Sequence, residues 1–113
     1  MNLELVRVLL HKLGYVVIDA GTAEAGIERA RSEQPHLILM DVNLPGMDGL
    51  TATTILKTDG ATKHIPVVAL TAHAMKGDEK RVYDAGCDGY MSKPIDTRSF
   101  PALVARFLRV EQG

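Results

Sequence analysis

The sequence holds one cysteine among its 113 residues, Cys87, so no disulfide can close within the chain. A reducing, cytoplasmic setting is what such cysteine usage predicts. The neighbours Ala85, Gly86, Asp88 and Gly89 are mostly small, so Cys87 reads as a packed small apolar side chain rather than a nucleophile. Charge of one sign is also missing. The formal net charge is -1 and the pI about 6.4, which leaves no electrostatic footprint for nucleic acid or an anionic membrane surface. No apolar run approaches the roughly 18 residues of a membrane span, and no secretory-leader pattern opens the chain. Repeats, linkers and low-complexity stretches are absent too. A hydrophobic fraction of 46% is enough for one core, and residues 1–113 are expected to form one domain.

What is present alternates. Residues 2–13 read as a helix, capped by Asn2, with Leu3, Val6, Leu10 and Leu13 on one face and Gly14 as its stop. Tyr15-Val16-Val17-Ile18 reads as a strand. Thr22 can cap a second helix that ends before Gln34-Pro35, with Glu24 in its first turn. His36-Leu37-Ile38-Leu39-Met40-Asp41 is an apolar run leading into an acid and then the turn residues Pro45-Gly46. That pattern predicts a strand buried on both faces. Leu50 to about Asp59 is a weaker helix, because Thr51, Thr53 and Thr54 are poor helix formers. Ile65–Thr71 is a strand ending in a hydroxyl. A helix within Met75–Ala85 stops at Gly86, and Tyr90-Met91-Ser92 is a brief last strand. The final helix is expected to begin near Ser99, which places Pro101 in the first turn, where it is tolerated.

Strand and helix in alternation predict an α/β fold, a doubly wound parallel sheet with four strands and five helices. Such a fold ordinarily opens with a strand, and this sequence opens with a helix. The segment 15–18 would then lack a neighbour on one side, and unpaired backbone groups within a core are costly. Direct pairing of 15–18 with 37–41, or a second copy supplying the partner as a homodimer, are the two expected ways of closing the gap.

Three strand ends carry Asp41, Thr71 and Lys93. The carboxyl edge of an open α/β sheet is where such folds bind and do chemistry. A carboxylate there can accept a phosphoryl group as an acyl phosphate. A hydroxyl and an ammonium can then hold the added oxygens, and Mg²⁺ would neutralise charge during transfer. A cis peptide at Lys93-Pro94 would aim Lys93 inward.

Leu39-Met40-Asp41-Val42-Asn43-Leu44-Pro45-Gly46-Met47-Asp48-Gly49, with Val68-Ala69-Leu70-Thr71-Ala72 and Tyr90-Met91-Ser92-Lys93-Pro94, resembles a response-regulator receiver domain. The resemblance spans the whole chain in three ordered motifs. The stretch Ala72–Asp78 is most similar to single-domain phosphorelay regulators and receivers of hybrid histidine kinases. The resemblance implies a flavodoxin-like fold with strand order 2-1-3-4-5 and a role in two-component signalling. It implies Asp41 as phosphoacceptor, fed by a phosphohistidine on a histidine kinase or a phosphotransfer protein. Thr71, Ala72 and Lys93 would bind the phosphoryl oxygens, and Thr71 and Tyr90 would form the switch. Asn43, His73 and Pro94 would border the site, with His73 influencing how fast phosphate is lost. Asp41 and the Asn43 backbone carbonyl would be Mg²⁺ ligands. The helix near 78–85, the last strand and the last helix would be the face that partners read.

The family places a pair of acids after its first strand to anchor Mg²⁺, and neither acid stands in this sequence. Mg²⁺ binding is therefore expected to be weak or absent, and the chain reads as a receiver shortened at its N-terminus. A phosphorylation-incompetent interaction or dimerisation module is the alternative. An aspartate-nucleophile phosphatase is a third reading, set back because such enzymes want an acid two residues after the nucleophile, where Asn43 stands. His11, His36 and His64 lack metal-ligand spacing and read as surface residues. Lys76, Asp78, Glu79, Lys80 and Arg81 read as a solvated face.

Overall fold

Val67–Thr71 is the strand on which the fold is assembled. The computed structural model describes residues 3–42, 47–71, 76–92 and 96–112. Along the chain come α1 (Leu3–Lys12), α2 (Ala23–Glu33), β1 (Ile38–Asp41), α3 (Gly49–Thr58), β2 (Val67–Thr71), α4 (Lys76–Asp84), β3 (Gly89–Ser92) and α5 (Phe100–Gln112). The strands form a parallel sheet in the order β1-β2-β3.

Each of the five residues of β2 is buried, with Thr71 the most open at 4%. Successive side chains leave a strand on opposite faces. Val67 and Ala69 pack with Ile27 and Ala30 of α2, Leu56 of α3 and Val82 of α4. Leu70 packs on the other face with Val6 of α1 and with Phe100 and Val104 of α5. Helices thus cover both faces, the doubly wound arrangement expected from the alternation and the flavodoxin-like one that the resemblance implies. Burying a side chain such as Phe100 contributes about 1.5–3 kcal/mol.

The helices owe their limits to identifiable residues. The Thr22 hydroxyl accepts from the Ala25 amide, capping α2 as its sequence suggested. Gln34 closes it in the left-handed region at φ 49. Its side-chain amide donates to the carbonyls of Ala30 and Arg31 and across to that of Ala61. The threonine-rich α3 is regular after all. Asp48 caps it by accepting from the Thr51 amide at 2.8 Å. The hydroxyls of Thr53, Thr54 and Thr58 donate to carbonyls four residues back, so each threonine is satisfied within the helix instead of competing with it. Gly86 ends the turn after α4 at φ 107, a conformation that costs glycine little. Pro101 lies in the first turn of α5, where the chain has no need of its missing amide.

Two expectations need correction. Tyr15–Ile18 is not a strand, so the sheet has three strands among the described residues rather than four. The Tyr15 amide donates to Leu10 to finish α1, and the next residues run on without a ladder, leaving Val16 92% exposed. Apolar, β-branched residues favour a strand only where a neighbour offers hydrogen bonds. Among the described residues no such neighbour lies beside 15–18, and direct pairing with 37–41 is not formed. The second correction concerns β1. It is half-buried except at Met40, not sealed on both faces, because β2 pairs with only one of its edges and the other borders an open cavity.

Candidate functional site

Asp41 and Thr71 stand at the carboxyl ends of adjacent parallel strands. Asp41 lies opposite Leu70 in the register, and Thr71, one residue further, lies opposite Ser92 of β3. Neighbouring strands run about 4.8 Å apart, so the carboxylate and the hydroxyl share one rim of the sheet. Beyond Asp41 the chain stays tied to that rim, since the Val42 amide donates to the Leu70 carbonyl at 3.0 Å. Asp41 is half-buried and Thr71 nearly closed off. Lys93 follows Ser92, the register partner of Thr71. Lys93 itself, with Pro94, Asn43, Ala72 and His73, lies outside the described residues, as does Asn2.

The loop after Asp41 is pressed back onto the strand. The Gly49 amide donates to the Val42 carbonyl at 3.3 Å. A Cβ placed on Gly49 would fall onto the Asp41 carbonyl oxygen, so only glycine lets α3 start this close to the acid. Asp48 caps α3, and hydrogen bonding to the Thr51 amide holds its carboxyl below the usual aspartate range. Neither residue was assigned a role from sequence, although an aspartate followed by glycine before an apolar run is a readable helix start.

Tyr90 sits one strand over, opposite Ala69, and packs partly against the core. Its ring meets that of Tyr83 edge to face, with centroids 6.1 Å apart. The Glu79 carboxylate pushes the Tyr90 phenol pKa up, with desolvation and Tyr83 adding to it, and accepts a hydrogen bond from its hydroxyl. Tyr90 therefore lies among residues of α4, a surrounding that sequence reasoning did not foresee. Glu79, Lys80 and Arg81 are exposed, as are His11, His36 and His64. Cys87 is packed as its neighbourhood suggested. It is 6% exposed, its thiol donates to the Thr53 hydroxyl at 3.7 Å, and burial raises its pKa.

No three of His, Cys, Asp and Glu gather at one point among the described residues. Mg²⁺ asks for about six oxygens in near-octahedral order, of which the described residues at this rim place the Asp41 carboxylate. Among the described residues no helix is long and apolar enough to cross a membrane.

A carboxylate and a buried hydroxyl at neighbouring strand ends, on a sheet wrapped by helices on both sides, define a receiver-type α/β module. The chain belongs to the response regulator receiver domain family, whose model matches residues 1–105. It is 43% identical over 108 residues to the polar-differentiation response regulator DivK of Brucella anthropi, an alignment covering 96% of this chain and 88% of that protein. Among solved structures, a response regulator from Chloroflexus aurantiacus superposes with a TM-score of 0.89 at 27% identity, covering 94% of this chain and 87% of its own. The receiver domain of a sensor histidine kinase from Pseudomonas aeruginosa, solved with a magnesium ion in its active-site cleft, gives a TM-score of 0.88 at 29% identity, over 96% of this chain and 88% of that one. Receiver domains of this family are signalling modules rather than enzymes in the ordinary sense.

Proposed function

We propose that the chain, acting as one unit over residues 1–113, accepts a phosphoryl group on Asp41 from a phosphohistidine of a histidine kinase or phosphotransfer protein. The observation that carries this reading is the placement of Asp41 and Thr71 on one rim of the sheet, one register step apart. In the transfer, a carboxylate oxygen of Asp41 attacks phosphorus and the phosphorus–nitrogen bond of the donor breaks, leaving the imidazole to take up a proton. The Thr71 hydroxyl donates to a phosphoryl oxygen, and the Ala72 amide and the Lys93 ammonium complete the anion's partners. Asn43, His73 and Pro94 border the pocket. The signal leaves through Thr71 and Tyr90 to the face made by α4, β3 and α5. Of the Mg²⁺ ligands that receivers use, Asp41 and the Asn43 carbonyl would be two, and a metal held there would neutralise charge as the phosphoryl group moves. The working place is the cytoplasm, away from nucleic acid and membrane.

Incubation with acetyl phosphate, with and without Mg²⁺, followed by intact-mass measurement tests the proposal. The expected result is one added phosphoryl group, lost in Asp41→Asn. An unchanged mass supports the second reading, an interaction module that keeps the receiver surface without phosphorylation, which the lack of a group of three metal-ligating side chains among the described residues favours.

A further inference from the structure

The Thr53 side chain is sealed from water, at 0% exposed, and its hydroxyl has a partner at each end. It donates to the Gly49 carbonyl at 2.8 Å and accepts from the Cys87 thiol at 3.7 Å. Thr58 makes the same kind of bond back along α3, but it is exposed, and both of its acceptors, the carbonyls of Thr54 and Ile55, lie in the helix. Thr53 instead ties the first turn of α3 to a residue outside it.

Both ends of that tie are anchored. Cys87 stands just before β3, and its amide donates to the Val82 carbonyl at 3.3 Å. The next residue, Asp88, donates its amide to the Val67 carbonyl and accepts the Val67 amide on its carboxylate, each at 2.8 Å. Cys87 is thereby fixed at the start of β2. At the other end, the Gly49 Cα lies against the Asp41 carbonyl, and the Gly49 amide donates to the Val42 carbonyl at 3.3 Å. The Val42 amide in turn donates to Leu70 of β2 at 3.0 Å. The peptide after Asp41 is therefore gripped between β2 and the first turn of α3.

We propose that Thr53 is a positioning residue for phosphoryl transfer, holding the first turn of α3 against the Asp41 carbonyl so that the carboxylate stays aimed along the sheet rim. This role rests on the reading of Asp41 as phosphoacceptor. Side chains occupy staggered rotamers, so the direction of a carboxylate follows its own backbone. The Asp48 cap is internal to α3, whereas the Thr53 hydroxyl adds a bond toward β3 that water cannot replace. Misplacing a reacting group by about 1 Å can slow a reaction on the order of 100-fold, which gives such a tie leverage over transfer.

Thr53→Val keeps the shape of the side chain and removes the hydroxyl. Uptake from acetyl phosphate with Mg²⁺, followed by intact mass over a range of donor concentrations, should show a maximal rate lowered about tenfold and an unchanged half-saturation. Thr53→Ser returns the hydroxyl and should restore most of the rate. Thr58→Val, which removes an exposed back-bonding hydroxyl from the same helix, should transfer like the parent. A second readout needs no phosphate. The carbon-13 resonance of the Asp41 carboxyl should move in Thr53→Val and stay in place in Thr58→Val. It should also move in Cys87→Ala, which cuts the tie while leaving the Thr53 bond to Gly49, and this variant decides if Thr53→Val does not fold. An unchanged maximal rate or an unmoved resonance in folded Thr53→Val overturns the role, and so does a rate that Thr53→Ser fails to restore. A parent protein that takes up no phosphoryl group refutes Asp41 as acceptor. The resonance then stands alone, a moved signal supporting Thr53 as the residue that positions the carboxylate and a fixed one overturning it.

Discussion

Gly49 and Asp41 touch through their backbones, with the glycine Cα against the aspartate carbonyl and no room for a side chain between them. The contact fixes where α3 begins relative to the acid, and hence the shape of the pocket rim. Gly49→Ala forces a methyl group into backbone that cannot swing aside. The expected cost is about 1–3 kcal/mol, the range for overpacking a tight site, measured by urea unfolding. Phosphoryl uptake from acetyl phosphate should slow in the same variant under conditions where it remains folded.

Asp48 supplies the cap of α3, and Asp48→Ala should cost about 1 kcal/mol, as loss of a helix N-cap does elsewhere. The pH dependence follows from the direction of its shift. Its folded pKa is depressed, so its contribution is complete above the ordinary aspartate range and is lost as pH falls through the folded value. Asp59 is depressed in the same sense by the Ala61 amide, with Arg31 adding to it. Acid unfolding followed by circular dichroism should therefore begin at higher pH in Asp48→Ala than in the parent protein.

Glu79→Gln removes the negative charge that lifts the Tyr90 phenol. Ultraviolet titration should show the Tyr90 transition moving down toward the ordinary tyrosine range. A titration unchanged by the substitution would mean that α4 does not hold Tyr90 in the way the structure shows.

Cys87 should be inert in the native protein. Its thiol is buried and its ionisation disfavoured, and the thiolate is the reactive form. Maleimide labelling is expected to be slow in buffer and rapid in denaturant, so its rate reports opening of the core between α3 and β3.

Most of the chain was legible because most of its elements are specified locally. Thr22, Gly86 and the apolar spacing of α5 each announce themselves within a few residues. Tyr15–Ile18 was misread because a strand is a relation between two segments, and the apolar pattern says nothing of whether a partner is present. The burial of β1 was overestimated for the same reason. α3 was undervalued because its threonines were weighed by intrinsic preference, whereas their hydroxyls bond back within the helix. Asp41 and Thr71 were placed at neighbouring strand ends because strand ends can be read from the sequence. The Gly49 contact was not found, since the approach of two backbones 8 residues apart depends on the loop between them.

The enclosure of β2 has a consequence for how motion is distributed across the pocket. Thr71 belongs to the strand with partners on both edges and both faces buried, while Asp41 belongs to one bonded, among the described residues, along a single side. Native-state fluctuations should therefore loosen the acid's strand long before the hydroxyl's. The carboxylate rides on the pliant side of the sheet and the hydroxyl is mounted on its stiffest, so in the proposed transfer adjustment to an incoming donor falls to Asp41.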